Sequence, residues 1–145
     1  MTHDPRLHPP RPILAASVAI LRQRRVLLAA RGREPLRGVF SLPGGAVEIG
    51  ETLLEAARRE VEEETGLAIG APEFLAHEEL ILRGGDGRVE RHFVICVFTA
   101  AWLGGEPQVS EEAVEFVWVD PLERPSLPVT PGLWDLLATL RPRLE

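Results

Sequence analysis

Glu60, Glu63 and Glu64 crowd three carboxylates into five consecutive residues. The segment that carries them, Thr52 to Thr65, reads as a helix. Thr52 and Glu55 stand at capping-box spacing, and Gly66 sits where a C-terminal cap glycine belongs. At 3.6 residues per turn, Leu53, Ala56 and Ala57 share one face, and steps of three and four carry that stripe on to Glu60, Glu63 and Glu64. Arg58, Arg59, Glu55 and Glu62 fall on the other side, where Glu55 and Arg59 stand at i, i+4. A solvated charged face is the ordinary reading of an acidic helix. Here the acids continue the stripe that should meet the core, and three like charges in one turn repel unless something compensates them. Hard divalent cations do so through oxygen ligands, and carboxylates without cysteine suit magnesium or manganese better than zinc. Pro43-Gly44-Gly45 precedes the helix. A glycine pair can be a simple turn, but it also lets the backbone come close to a ligand. Together the two features suggest a phosphate-plus-metal site.

Other residue types add less. Arg31, Arg33 and Arg37 lead into the glycine loop and are placed to reach substrate phosphates, or are surface cations. His77 and His92 are better read as structural than as catalytic. Cys96 is the sole cysteine. It rules out an intrachain disulfide and a cysteine zinc site, and its apolar neighbours make it a small buried hydrophobe. Trp118 alternates with Phe116 and belongs to the core, whereas Trp102 and Phe40 are candidates to stack on a base.

The elements that must hold these residues can be read in outline. Ile13–Leu21 and Val26–Ala30 form a hairpin across Arg22-Gln23-Arg24-Arg25. Pro35–Gly45 is loop with a short strand at Val39–Leu42. Phe74–Leu82 and Val89–Trp102 are long strands joined by Gly84-Gly85-Asp86-Gly87, and Glu115–Val119 is another strand. A second helix is expected over Pro131–Leu140, with Thr130 as its cap and Pro131 first. Several strands with two helices give an α+β fold, a mixed sheet flanked by helices. The organisation expected is an extended arm over residues 1–12 and one domain over 13–145.

The composition is that of a globular protein, 45% hydrophobic and 26% charged. The net charge of -6 argues against nucleic acid as a partner, though not against a small anionic substrate, because a bound cation reverses the local field. No apolar run reaches membrane-spanning length and no signal peptide stands at the start, so the default expectation is a cytoplasmic protein without membrane partners. A homodimer is compatible with the chain.

These residues resemble the Nudix box. That box runs from a glycine through a glutamate to Arg-Glu-apolar-x-Glu-Glu-x-Gly-apolar. Here Gly45, Glu51 and Arg59-Glu60-Val61-Glu62-Glu63-Glu64-Thr65-Gly66-Leu67 fill every specified position. The resemblance implies an α/β/α sandwich around a mixed sheet. It implies attack of water on phosphorus in a nucleotide-like small molecule, with Mg2+ as cofactor and Mn2+ able to substitute. It further implies Glu60 and Glu64 as metal ligands, Glu63 as a further ligand or the base, the Gly44 carbonyl as a backbone ligand, and Glu51 with Arg59 as a pair bracing loop on helix. Relatives often place an extra base or ligand in the loop that holds Glu111, Glu112 and Glu115, and Glu112 competes with Glu63 for that role; the other reading is a solvated acidic turn. The lead-in Phe40–Glu48 and the strand from Arg91 to Phe98 are similar to those of ADP-ribose-type members. ADP-ribose or a similar nucleoside diphosphate sugar is the favoured substrate. A nucleoside triphosphate pyrophosphohydrolase is the main alternative. A non-catalytic ligand sensor is disfavoured by the retained glutamates, and removal of RNA caps by the acidic charge.

Overall fold

The computed structural model describes residues 6–144. In chain order the elements are β1 (Ile13–Arg22), β2 (Arg25–Arg31), β3 (Phe40–Ser41), β4 (Gly44–Ala46), α1 (Leu53–Thr65), β5 (Ala68–Ile69), β6 (Glu73–Arg83), β7 (Val89–Gly104), β8 (Ala113–Val119), α2 (Leu133–Ala138) and α3 (Arg141–Leu144). The expected hairpins are present at the expected turns, and the expected mixed sheet is found. β1 runs parallel to β7 over a register from Ile13 with Phe93 to Leu21 with Ala101. β6 lies antiparallel on the other side of β7, and β8 antiparallel to β2.

The sheet has a core on each side, as a sandwich requires. α1 lays Ala56, Ala57 and Val61 on Ala16, Val18 and Ile20 of β1 and on Leu27, Cys96 and Phe98. On the opposite side Leu133, Leu137, Leu140 and Leu144 cover Ala19, Val26, Leu28 and Val97. Ile20, Leu27, Leu28, Leu137 and Leu140 are fully buried, and each contributes about 1.5–3 kcal/mol. Cys96 is buried as expected.

β1 and β2 pair only at Leu21 with Val26 and Arg22 with Arg25. Towards its start β1 pairs instead with β4, Ala16 facing Gly45 and Ser17 facing Gly44. The amide of Val18 donates to the Pro43 carbonyl (2.9 Å) and that of Val47 to the Leu14 carbonyl (2.9 Å). The glycine segment is thus a strand stitched to β1, not a free loop.

The second helix departs from expectation. It begins at Leu133 with Gly132 as cap in the left-handed conformation (φ 80°), and Thr130 makes no side-chain cap. The amide of Leu133 donates to the Thr130 carbonyl (3.2 Å), so Thr130-Pro131-Gly132 is a turn. A left-handed residue cannot lie within a right-handed helix, which is why α2 starts only after it. Residues 1–5 of the expected arm lie outside the described residues. The remainder lies beside β7, where the His8 amide donates to the Glu90 carbonyl (2.7 Å). Among the described residues no helix is long and apolar enough to cross a membrane.

Candidate functional site

α1 is capped as its sequence dictates. The Thr52 hydroxyl accepts from the Glu55 amide (3.0 Å), the Glu55 carboxylate accepts from the Thr52 amide (3.0 Å), and Gly66 closes the far end at φ 72°. The buried stripe is Ala56, Ala57, Val61 and Thr65. This corrects the wheel drawn from sequence. Val61 holds the core position, and Glu60 and Glu64 flank it towards β4. Glu63, six residues beyond Ala57 and so roughly 120° from it at 100° per residue, is turned out, its side chain 61% exposed.

The glycine strand touches this flank. The Gly44 amide donates to Glu64 Oε2 (3.0 Å). A Cβ on Gly45 would lie 2.6 Å from Glu60 Cδ, so the space a side chain would need there is occupied by the Glu60 carboxylate. A Cβ on Gly44 would overlap the Ala16 carbonyl oxygen and stand 2.6 Å from Ser17 Cβ. Both glycines make a close approach, Gly45 to the Glu60 carboxylate and Gly44 to the backbone of β1.

Arg59 ties helix, glycine strand and connecting loop together. It donates to both Glu51 oxygens (2.6 and 2.9 Å), to the Ala46 carbonyl (3.1 Å), to Glu60 Oε1 (2.8 Å) and to Glu63 Oε2 (3.1 Å). Glu51 also accepts from the Glu48 amide (2.9 Å). The Arg59 hydrogen bonds and then that amide hold the Glu51 carboxyl well below its ordinary range, at about 2. The expected i, i+4 pair with Glu55 is not made, because Glu55 is spent on the capping box and Arg59 on Glu51.

Glu60 and Glu64 have the opposite electrostatics. Burial raises both, Glu64 to about 7. For Glu64 the Gly44 amide opposes the shift, while the charges of Glu60 and Glu112 add to it. For Glu60 the Arg59 hydrogen bond opposes it, while Glu63 and Glu112 add to it. Among the described residues no three acidic, histidine or cysteine side chains converge closely enough to hold a metal ion in this arrangement. The donor chemistry does fit a hard divalent cation: two partly desolvated, mutually repelling carboxylates lie against a glycine strand that leaves them room.

Glu112 reaches the site by charge, not by contact. Its carbonyl accepts from the Gly32 amide (2.9 Å), which folds its loop towards the end of β2, and its side chain is 74% exposed beside Arg33 (4.0 Å). Arg31 donates from Nε to the Pro35 carbonyl (2.7 Å). Its pKa is lowered, first by desolvation, and it feels Glu64, Arg91, Arg6 and Glu112. Arg37 is exposed and faces Glu34 at 3.9 Å.

A cavity of about 160 Å3 opens beside the glycine strand. Gly44, Gly45, Ser17 and Arg31 line it at one end, and it runs on along Phe93, Ile95, Leu80 and Glu78 beneath Leu133 and Leu136 of α2. Arg31 belongs to this lining and Arg37 does not. Neither expected stacking partner belongs to it. Phe40 is buried in the α2-side core, and the ring of Trp102 lies under the Arg22 guanidinium (3.9 Å), which also faces Trp118 (5.4 Å). Glu78 escaped the sequence reading. Nothing local marks it out, since its burial comes from the pairing of β6 with β7 and from the cavity wall they share with α2.

A NUDIX domain family model matches residues 11–140. The chain belongs to the Nudix hydrolase family. It is 34% identical over 116 residues to an ADP-ribose pyrophosphatase of Methanocaldococcus jannaschii, covering 80% of this chain and 66% of that protein. It is 35% identical over 125 residues to an 8-oxo-dGDP phosphatase of Homo sapiens, covering 83% of this chain and 35% of that protein. The chain thus spans less than two thirds of these curated relatives. Among solved structures, a MutT NUDIX hydrolase from Burkholderia pseudomallei is similar at a TM-score of 0.77 and 30% identity, over 90% of this chain and 98% of that one.

Proposed function

We propose that this chain hydrolyses the diphosphate linkage of a nucleoside diphosphate derivative, with ADP-ribose or a similar nucleoside diphosphate sugar as the favoured substrate. The observation that carries the reading is the pair of half-buried carboxylates, Glu60 and Glu64, packed against a glycine strand that also lines a cavity. Glu60 and Glu64, with the Gly44 carbonyl, would hold the divalent cation, magnesium by preference and manganese in its place. When bound, such an ion neutralises phosphate oxygens and lowers the pKa of a coordinated water.

The residues around it have separate tasks. Glu51 fixes Arg59, and Arg59 in turn fixes the Glu60 carboxylate and the turn at Ala46, so the ligand is oriented before substrate arrives. Glu63, exposed at the rim, and Glu112, on the facing loop, are the two candidates to take the proton of the attacking water. Arg31, in the cavity wall and within the field of Glu64, is placed to meet a substrate phosphate. Arg37, turned out towards Glu34, is left out of the proposal.

The archaeal relative's ADP-ribose pyrophosphatase activity supports the choice of substrate, while the human relative's name keeps a nucleotide-pool role in contention. The test is kcat/KM with magnesium for ADP-ribose, other nucleoside diphosphate sugars and the common nucleoside triphosphates. The proposal expects the diphosphate sugars to lead. A clear preference for any triphosphate overturns the substrate reading, and failure of all of them overturns the catalytic one.

A further inference from the structure

The cavity has one feature that diphosphate hydrolysis does not use. Glu78, on β6 opposite Ile95 of β7, turns its carboxylate into the wall. Its Oε1 is shielded from solvent and has no hydrogen-bond partner among the described residues. Two arginines, Arg6 and Arg31, also line the cavity, and Arg31 has its Nε committed to the Pro35 carbonyl (2.7 Å). A buried acceptor left unmade costs roughly 1–3 kcal/mol, so such a group is retained where something brings it a donor.

The surroundings define that donor. The wall around Glu78 carries the apolar side chains Leu80, Phe93, Ile95, Leu133 and Leu136, beside the polar Glu79, Ser41 and Thr130. A flat heteroaromatic ring with an N–H edge would bury its faces on these apolar side chains and satisfy the one unpaired acceptor. The volume of about 160 Å3 holds one ring system, not a whole dinucleotide. Because Gly44 and Gly45 line the other end, a base seated against Glu78 would leave its phosphates on the side of Glu60 and Glu64.

We propose that Glu78 is a specificity-determining residue that accepts a hydrogen bond from the exocyclic amino group of the substrate's nucleobase. The inference rests on the reading that a nucleotide substrate occupies this cavity. Burial also holds the Glu78 carboxyl above its ordinary pKa, the mark of a desolvated group that gains from a donor. A site built around such a bond rejects the analogue that lacks the donor, because binding that analogue leaves the acceptor unpaired.

The test compares binding of adenosine 5′-monophosphate with that of purine riboside 5′-monophosphate, which lacks only the amino group, by calorimetry in the presence of magnesium. Wild-type protein should prefer the amino-bearing nucleotide by roughly 10-fold or more. Glu78→Met, apolar and of similar length, should bring that ratio close to one. Glu78→Gln, which keeps an amide oxygen as acceptor, should retain part of it. Thermal unfolding without nucleotide guards against a folding artefact: Glu78→Met removes an unpaired buried oxygen and should melt no lower than wild type. An unchanged ratio in Glu78→Met overturns the inference, as does equal binding of the two nucleotides by wild type. If wild type shows no preference yet still turns over diphosphate sugars, the role of Glu78 fails alone. If no nucleotide binds and none is hydrolysed, the functional reading fails with it.

Discussion

Gly44 and Gly45 are neighbours, yet alanine should act differently at each. At Gly44 the new Cβ would overlap the Ala16 carbonyl oxygen and stand 2.6 Å from Ser17 Cβ. Both belong to β1, which is locked to β7 by a long parallel register, so neither can retreat cheaply. Forcing one methyl into such packing costs about 1–3 kcal/mol. For a chain of 145 residues that is a fall in Tm of roughly 2–12 °C. At Gly45 the atoms nearest the new Cβ would be those of the Glu60 carboxylate, 2.6 Å to Cδ and 2.7 Å to Oε2. That group is the far end of a flexible side chain, and moving it strains one Arg59 hydrogen bond (2.8 Å) but no backbone. Gly45→Ala should therefore melt within about 2 °C of wild type, as a substitution free of buried strain does. Turnover should fall, because the displaced carboxylate is a proposed metal ligand, and a misplacement of about 1 Å can cost about 100-fold. Differential scanning fluorimetry and kcat/KM on the best substrate read the two effects separately. Full turnover in a folded Gly45→Ala would refute the placement of Glu60 in the site. A Gly45→Ala as unstable as Gly44→Ala would refute the distinction between the two contacts.

Chelation should abolish turnover and added magnesium or manganese restore it, while Glu64→Gln should keep its fold and lose activity by orders of magnitude in saturating metal; near-wild-type rates would count against the ligand assignment. Glu63→Gln and Glu112→Gln, compared by kcat, separate the two candidate bases, and full turnover in both would exclude both. Glu51 is held at about 2 against an ordinary 4.5 by Arg59 and the Glu48 amide. Between those values the unfolded chain binds more protons than the folded one, so stability falls as pH falls. The contribution is complete above pH 4.5 and lost through about 2. Acid unfolding followed by circular dichroism should show a shallower loss over that window in Glu51→Gln, and an identical slope would break the link.

What could be read from sequence was what local chemistry decides. α1 announces itself because its caps lie within five residues of the groups they satisfy. The long hairpins do so because β-branched runs meet at glycine or polar turns. β4 and β5 are two or three residues long and exist only through their partners, Gly44–Ala46 on β1 and Ala68–Ile69 on β7, so no pattern within them could disclose them. The same limit explains Glu63. On an isolated wheel the apolar stripe runs into all three acids, and only the docking of Val61 against β1 decides that the core edge passes between Glu64 and Glu63.

Glu78 shows how the limit bears on function. In sequence it stands beside Glu79, and two adjacent glutamates on a strand suggest solvent. The pairing of β6 with β7 puts Glu78 opposite Ile95 and leaves one of its oxygens shielded from solvent, which no pattern within β6 discloses. The Nudix box instead concentrates its chemistry in residues 45–67, where one helix and one glycine strand bring together groups that are near in sequence. Cleavage of a phosphoanhydride can be encoded in so short a stretch because it needs charge and position around one small group. Recognition of the rest of the substrate needs a wall, and the wall proposed for it is drawn from β1, β4, β6, β7 and α2. On the proposed assignment, chemistry and specificity are carried by different parts of the chain. Substitutions along β6 and α2 should change which substrate is cleaved, and substitutions along α1 whether any is.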